Sequence, residues 1–267
     1  LMRYKPINSQ LFKKNRSLFI KSMRDNSIAI FHSNDLMPKN ADQYLPFYQN
    51  SDLFYLCGID QEESILMIIK LEKQTLTKLY IKKTDEQIRI WEGEKLSKNN
   101  ASQISSIDNV YWVNEFQKHL LSYAKRCSAF YLNNNDHPRA NVVVESRDER
   151  FKKWLKSRLS NKIIKKTSDI LYPLRAVKKE EEIDIIKQAC GITKLGVNRV
   201  LKFLKPGVFE YELEAEILHE FIRNGSNGFA YDPIIASGSS ACVLHYNTNN
   251  KKCKNGEVVL MDFGAEY

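Results

Sequence analysis

Apolar positions recur at two periods along the chain, and the changes between them mark its elements. Ser27-Ile28-Ala29-Ile30-Phe31 and Ser64 to Ile69 are short apolar runs, the pattern of strands covered on both faces, and Lys78 to Ile81 follows the second across a charged turn. Asn15 to Asn26, Glu115 to Arg126 and Phe151 to Lys166 carry helical spacing, while Ala129 to Leu132 and Val142 to Val144 read as strands. Strands alternating with helices predict a sheet with helices packed on it. Tyr172-Pro173 interrupts the pattern, because proline restricts its own backbone and its predecessor's, and puts a domain boundary there: residues 1–172 and 173–267.

Beyond Arg175 the texture changes. Glu180-Glu181-Glu182 gathers carboxylates where a helix dipole favours them, and Ile183, Ile186, Cys190, Val197, Val200 and Leu204 follow as one stripe, ended by Pro206-Gly207. A second helix is predicted from Glu210 to Asn224, stopped by Gly225. From Tyr231 the pattern is strand and turn: Pro233 to Ala236, a turn at Gly238-Ser239-Ser240, a strand at Cys242 to Tyr246, an Asn255-Gly256 turn, and a closing strand from Glu257 to Tyr267. The fold class is therefore α/β, of the mixed α+β kind.

Composition narrows the classes of function. The chain has 267 residues, 43% of them hydrophobic and 27% charged, which is ample for a buried core. The run Ile65 to Ile69 is far short of the roughly 20 apolar residues a membrane span needs, so no membrane association is expected. Leu1 to Pro6 lacks the apolar stretch of a signal peptide, making a cytoplasmic location the expectation. The five scattered cysteines form no Cys-x-x-Cys pair and read as reduced thiols. A net charge of +9 raises the question of nucleic acid, but the densest basic stretch, Phe151 to Lys166, interleaves its lysines with apolar residues at helical spacing. That is the pattern of a solvated helix face, and no nucleic-acid partner is expected.

Two residues stand out chemically. In the closing strand Val258, Leu260 and Asp262 share one face and Val259, Met261 and Phe263 the other. A carboxylate there needs a cation, several donors, or exposure at the turn before Gly264. His245 sits in Leu244-His245-Tyr246-Asn247; a lone histidine on an apolar strand is more often structural than a ligand. Two strands joined through the Asn255-Gly256 turn would hold His245 and Asp262 near each other.

Four blocks then carry a resemblance: Arg175 to Ile183, Leu204 to Glu214, Val243 to Asn250 and Val259 to Tyr267. In order and residue type they resemble the first half of the catalytic domain of Xaa-Pro aminopeptidase (aminopeptidase P). Gln49 to Gly58 and Ile90-Trp91-Glu92-Gly93 are similar to that family's N-terminal domain. The resemblance implies a pita-bread catalytic fold and hydrolysis of the bond ahead of a second-position proline by metal-activated water. It also implies two divalent cations, manganese being expected, held by two Asp, one His and two Glu. By the same resemblance Asp262 is the first metal-binding Asp, and His245 lies beside the metals and contacts substrate or the developing intermediate. Tyr231 is a substrate-pocket aromatic, and Trp91 reaches toward a neighbouring subunit, with a packed surface aromatic as the alternative. Proline-containing peptides and a second copy of the chain are the implied partners.

The remaining ligands of that family lie further on than Tyr267, so this polypeptide is expected to be inactive alone. Its half-covered closing strand is expected to favour oligomerisation or poor solubility. A non-catalytic pita-bread binding module and a prolidase remain the alternatives. The block around Asn50-Ser51-Asp52 favours the aminopeptidase over the prolidase.

Overall fold

The computed structural model describes residues 4–134, 137 and 143–267, which form two compact units: Ile7–Val177, and Lys178–Tyr267 with the N-terminal stretch ending at Pro6. In the first, α1 (Ser9–Ser22) is capped by Asn8, which starts the helix earlier than its apolar spacing predicts. It leads into β1 (Ser27–His32), buried at every position. An exposed hairpin of β2 (Pro38–Asn40) and β3 (Gln43–Tyr44) precedes α2 (Ser51–Cys57). Then come β4 (Ile65–Lys70), β5 (Thr75–Ile81), α3 (Glu86–Trp91), α4 (Lys98–Ser105), β6 (Val110–Trp112), α5 (Phe116–Ala124) and β7 (Ala129–Leu132). The unit closes with α6 (Arg147–Arg158), β8 (Ile163–Lys166) and α7 (Ser168–Ala176).

The strands form a six-stranded mixed sheet in the order β6-β5-β4-β1-β7-β8. β4 runs antiparallel to β1 and β5, and β7 runs parallel to β1 and β8. Side chains alternate between two apolar layers. Ala29, Phe31, Leu66, Ile68, Leu79 and Ile81 pack with Phe19 and Met23 near α1, Leu53 and Leu56 of α2, and Leu171 of α7. Ile28, Ile30, Met67, Ile69, Tyr80 and Phe130 pack with Phe116 and Leu120 of α5 and Leu155 of α6. Each of these large side chains contributes roughly 1.5–3 kcal/mol of burial. The glycine ending α2 is required twice over: Gly58 has φ 68°, and a Cβ there would lie 2.2 Å from the Phe12 ring.

Two predicted elements in this unit are corrected. Phe151 to Lys166 is not one helix. Ser146 caps α6 four residues earlier, and Asp148 in its first turn meets the buried His32 of β1 at 2.8 Å. A turn at Ser160–Asn161 stops the helical path, and Ile163-Ile164 pairs with β7 as the start of β8. Pro173, read as a break, lies inside α7, where its missing N–H removes one intrahelical hydrogen bond, and the helix ends three residues later at Ala176. Of the strand predicted at Val142 to Val144, Val142 lies outside the described residues, and Val143 and Val144 are exposed chain outside any strand.

The second unit is built on α8 (Glu180–Phe203) and α9 (Glu210–Arg223), where the sequence predicts helices, but the buried face of α8 is Ile192, Gly196 and Val200; of the stripe expected to pack, Ile186 and Cys190 are exposed. Ile192 and Val200 pack with Leu213, Ile217 and Phe221. Gly196 lets the helices approach, since a Cβ there would sit 2.8 Å from the Phe221 ring. Arg199 pairs with Glu216 across the two helices. Against them lie two short antiparallel ribbons: β10 (Ile234–Ser237) with β11 (Val259–Asp262), and β9 (Gly228–Phe229) with β12 (Ala265–Glu266). The predicted closing strand is thus divided at Phe263-Gly264, each half pairing with a different partner. The strand predicted at Cys242 to Tyr246 does not form. Gly238–Cys242 is a 3-10 turn, Leu244 and His245 make a further turn, and among the described residues no strand pairs with the exposed Val243 and Leu244.

Candidate functional site

Asp262 is the last residue of β11, opposite Ile234 of β10. As the period of two predicts, Val259, Met261 and Phe263 turn toward the helices, while Leu260 and Asp262 face outward. The strand surfaces here, so Asp262 is exposed and bears no burial cost that a cation must offset. Of the three arrangements open to this carboxylate from the sequence, exposure is the one observed. What the carboxylate does have is a donor. The Tyr231 hydroxyl donates to its Oδ1 at 2.6 Å, the arrangement fixed where Ala230 N–H meets the Gly264 carbonyl at 2.9 Å beside the β9–β12 pair. That hydrogen bond, helped by partial burial and by the negative charge itself, pushes the Tyr231 hydroxyl up to about 12. The phenol stays protonated and holds one carboxylate oxygen, leaving the other without a hydrogen-bond donor among the described residues.

His245 is not brought against Asp262 in the way the sequence predicts. β11 pairs with β10 rather than with the segment before the Asn255-Gly256 turn, and no hydrogen bond or ion pair joins the two residues. His245 lies instead in an exposed turn. Trp91 ends α3 in the other unit and is 79% exposed, which removes the reading of a packed surface aromatic.

The most heavily bonded group in this unit is one the sequence reading passed over. Glu210, the first residue of α9, is fully buried, and its carboxylate accepts from the Ser237 N–H (2.6 Å), the Ser237 hydroxyl (2.7 Å), the Tyr246 hydroxyl (2.7 Å) and the Lys251 N–H (2.9 Å). One turn along, Glu214 accepts from Asn249 Nδ2 at 2.8 Å, and Asn249 Oδ1 in turn accepts from Ile235 N–H at 3.0 Å. Burial alone would raise the Glu210 carboxyl, but the donors from Ser237, Lys251 and Tyr246 outweigh it and hold it below the usual carboxylate range. The available signal was the spacing of Glu210 and Glu214, four apart on one helix face.

Two family models match this chain in tandem: "Aminopeptidase P, N-terminal domain" over residues 12–132 and "Metallopeptidase family M24" over residues 184–267, together more than half of its length. The chain belongs to the aminopeptidase P family. It is 29% identical to the Xaa-Pro aminopeptidase of Escherichia coli over 98% of its own length and 60% of that protein, and 30% identical to that of Haemophilus influenzae over 96% and 57%. Its fold matches the structure of proline aminopeptidase P II from Yersinia pestis with a TM-score of 0.84, at 28% identity over 97% of this chain and 60% of the other. The chain thus spans about 60% of the length of the relatives it matches.

The M24 match implies divalent metal, and the donor set can be tested against that requirement. Among the described residues no group of three or more His, Cys, Asp or Glu side chains is placed to hold a metal ion. Asp262 offers one accessible carboxylate, and the residues around it do not complete a centre. Among the described residues, no helix is long and apolar enough to cross a membrane.

Proposed function

We infer that this chain supplies the N-terminal domain, residues 1–172, and part of the catalytic domain, residues 173–267, of a metal-dependent aminopeptidase that removes the residue ahead of a second-position proline. The observation that carries the reading is the alignment of 98% of the chain with a Xaa-Pro aminopeptidase, both domain matches falling in the same order. Asp262 is the metal ligand of this segment, its free oxygen available and its other oxygen held by Tyr231. His245, on its exposed turn, reaches substrate, and Tyr231 lines the same pocket. The complete enzyme takes two divalent cations, manganese in this reading, and acts on proline-containing peptides in the cytoplasm. The exposed Trp91 and the outward apolar face of Val258 and Leu260 support self-association.

One carboxylate is too few for a two-metal centre, so no step of hydrolysis is assigned to these residues by themselves, and the isolated polypeptide is inactive. The test has two arms. The purified 267-residue chain, given a Xaa-Pro peptide and manganese, releases no amino acid; turnover there overturns the argument from ligand number. The complete translated product containing these residues hydrolyses the peptide, and Asp262→Ala abolishes it. A product without activity, or an Asp262→Ala variant that keeps it, sinks the enzymatic reading.

A further inference from the structure

The turn bearing His245 has little apolar burial to hold it in place: Val243 is 53% and Leu244 90% exposed. Its fixed points are polar. On the near side, the Val243 N–H donates to the Ser240 carbonyl at 3.0 Å. On the far side, the residue next to His245 is Tyr246, whose hydroxyl ends on the buried carboxylate of Glu210. That carboxylate also takes the Ser237 N–H at the end of β10 and the Lys251 N–H beyond the turn, while Glu210's own N–H donates to the Lys251 carbonyl at 2.9 Å. Glu214 and Asn249 make a second tie between the same helix face and the same segment. Three separate stretches of chain therefore meet on one side chain, whose acceptor sites are all in use. A Gln at that position would set an amide donor against a donor.

We propose that Glu210 is a positioning residue for His245. Through the Tyr246 hydroxyl its charge sets where the histidine turn stands relative to β10, and so where the imidazole is presented. The role given to the imidazole rests on the peptidase reading above; the clamp itself rests only on the hydrogen bonds.

The test uses the 267-residue chain with Tyr246→Phe, which removes one hydroxyl and keeps the ring, and Glu210→Gln. Amide exchange and the ring 15N–1H correlations of the histidines are read together. In Tyr246→Phe, the Val243 amide, which donates to Ser240, exchanges about tenfold faster or more, because a hydrogen bond to a charged group that holds the turn is lost, while 234–237 stay as they were. The His245 ring signal moves, and the signals of the other four histidines do not. Glu210→Gln adds faster exchange at Ser237 and Lys251. Unchanged exchange at Val243 in Tyr246→Phe, or a His245 signal that stays put, overturns the proposal. Should Glu210→Gln fail to fold, the milder variant still decides. A chain that passes this test while the complete product lacks peptidase activity refutes the function and leaves the clamp standing; active product with an unresponsive His245 refutes the clamp alone.

Discussion

The two units solve the same problem, covering a β-sheet, to different degrees. In Ile7–Val177 both faces of the sheet are buried, so neighbouring positions such as Ile28 and Ala29, or Met67 and Ile68, point into opposite apolar layers and are equally inaccessible. In Lys178–Tyr267 the helices cover one face of the β10–β11 ribbon; on the other face β10 is still buried at Ile234 and Ala236, while β11 exposes Leu260 and Asp262. Full cover gives most strand residues a packing role, and the ionisable side chains it admits are held by partners, as Lys78 of β5 is by the Tyr111 hydroxyl and ring and His32 of β1 by Asp148. The exposed side of β11 lets a carboxylate sit in the strand at low cost, while charge-assisted hydrogen bonds to Glu210 and Glu214 tie the neighbouring segments to α9. In this chain the candidate chemistry lies in the half-covered unit.

The largest contrast should appear when one apolar side chain is removed from each sheet. Phe130→Ala leaves a cavity between α5, α6 and the sheet and costs about 3–5 kcal/mol, whereas Leu260→Ala costs within about 0.5 kcal/mol. Denaturant unfolding followed by amide exchange in each unit measures both; equal losses would erase the distinction. Next in size, Gly196→Ala should destabilise the second unit by about 1–3 kcal/mol, because the added methyl meets the Phe221 ring. A neutral result would mean that α8 and α9 separate readily. The smallest effect belongs to the surface pair. Tyr231 is held up to about 12 in the folded chain against an ordinary value of about 10, so the stability it contributes is present below about pH 10 and disappears as pH rises through 12. Asp262→Ala should return the phenol toward 10 in an absorbance titration; a tyrosine titration unchanged by the substitution would deny the pair.

Much of this was readable from the chain. Ser27 to Phe31 and Ile65 to Ile69 announced a doubly covered sheet because each position obeys one rule, and Pro206-Gly207 and Gly225 announced where α8 and α9 end, though not which face of α8 is buried. The outward face of Asp262 followed from parity along its strand. The failures share a cause: pairing partners lie far away in sequence. Ile163-Ile164 continues a helical pattern until β7 claims it as an edge strand, and Cys242 to Tyr246 has strand composition but no strand beside it. α2 went unassigned although Asn50 caps it, with its Oδ1 taking the Asp52 and Leu53 N–H groups, and Gly58 ends it. Glu210 looked like one more acid in a helix's first turn, and nothing local announces that Ser237, Tyr246 and Lys251 converge on it. The meeting of Tyr231 with Asp262, across β9 and β12, was equally hidden.

The pairing of Ile234 with Asp262 has one more implication, for how this region can vary among relatives. Segment 238–258 joins the two strands by a long detour pinned to α9 at Tyr246, Asn249 and Lys251, so changes of length there can be absorbed only between those ties. A slide of β11 by a single step against β10 is another matter: it would swap the two sides of the strand, tucking the acid beneath the helices and turning Met261 out. A slide by two would restore the side but carry the acid past the Tyr231 hydroxyl. Length is negotiable here; alignment is not.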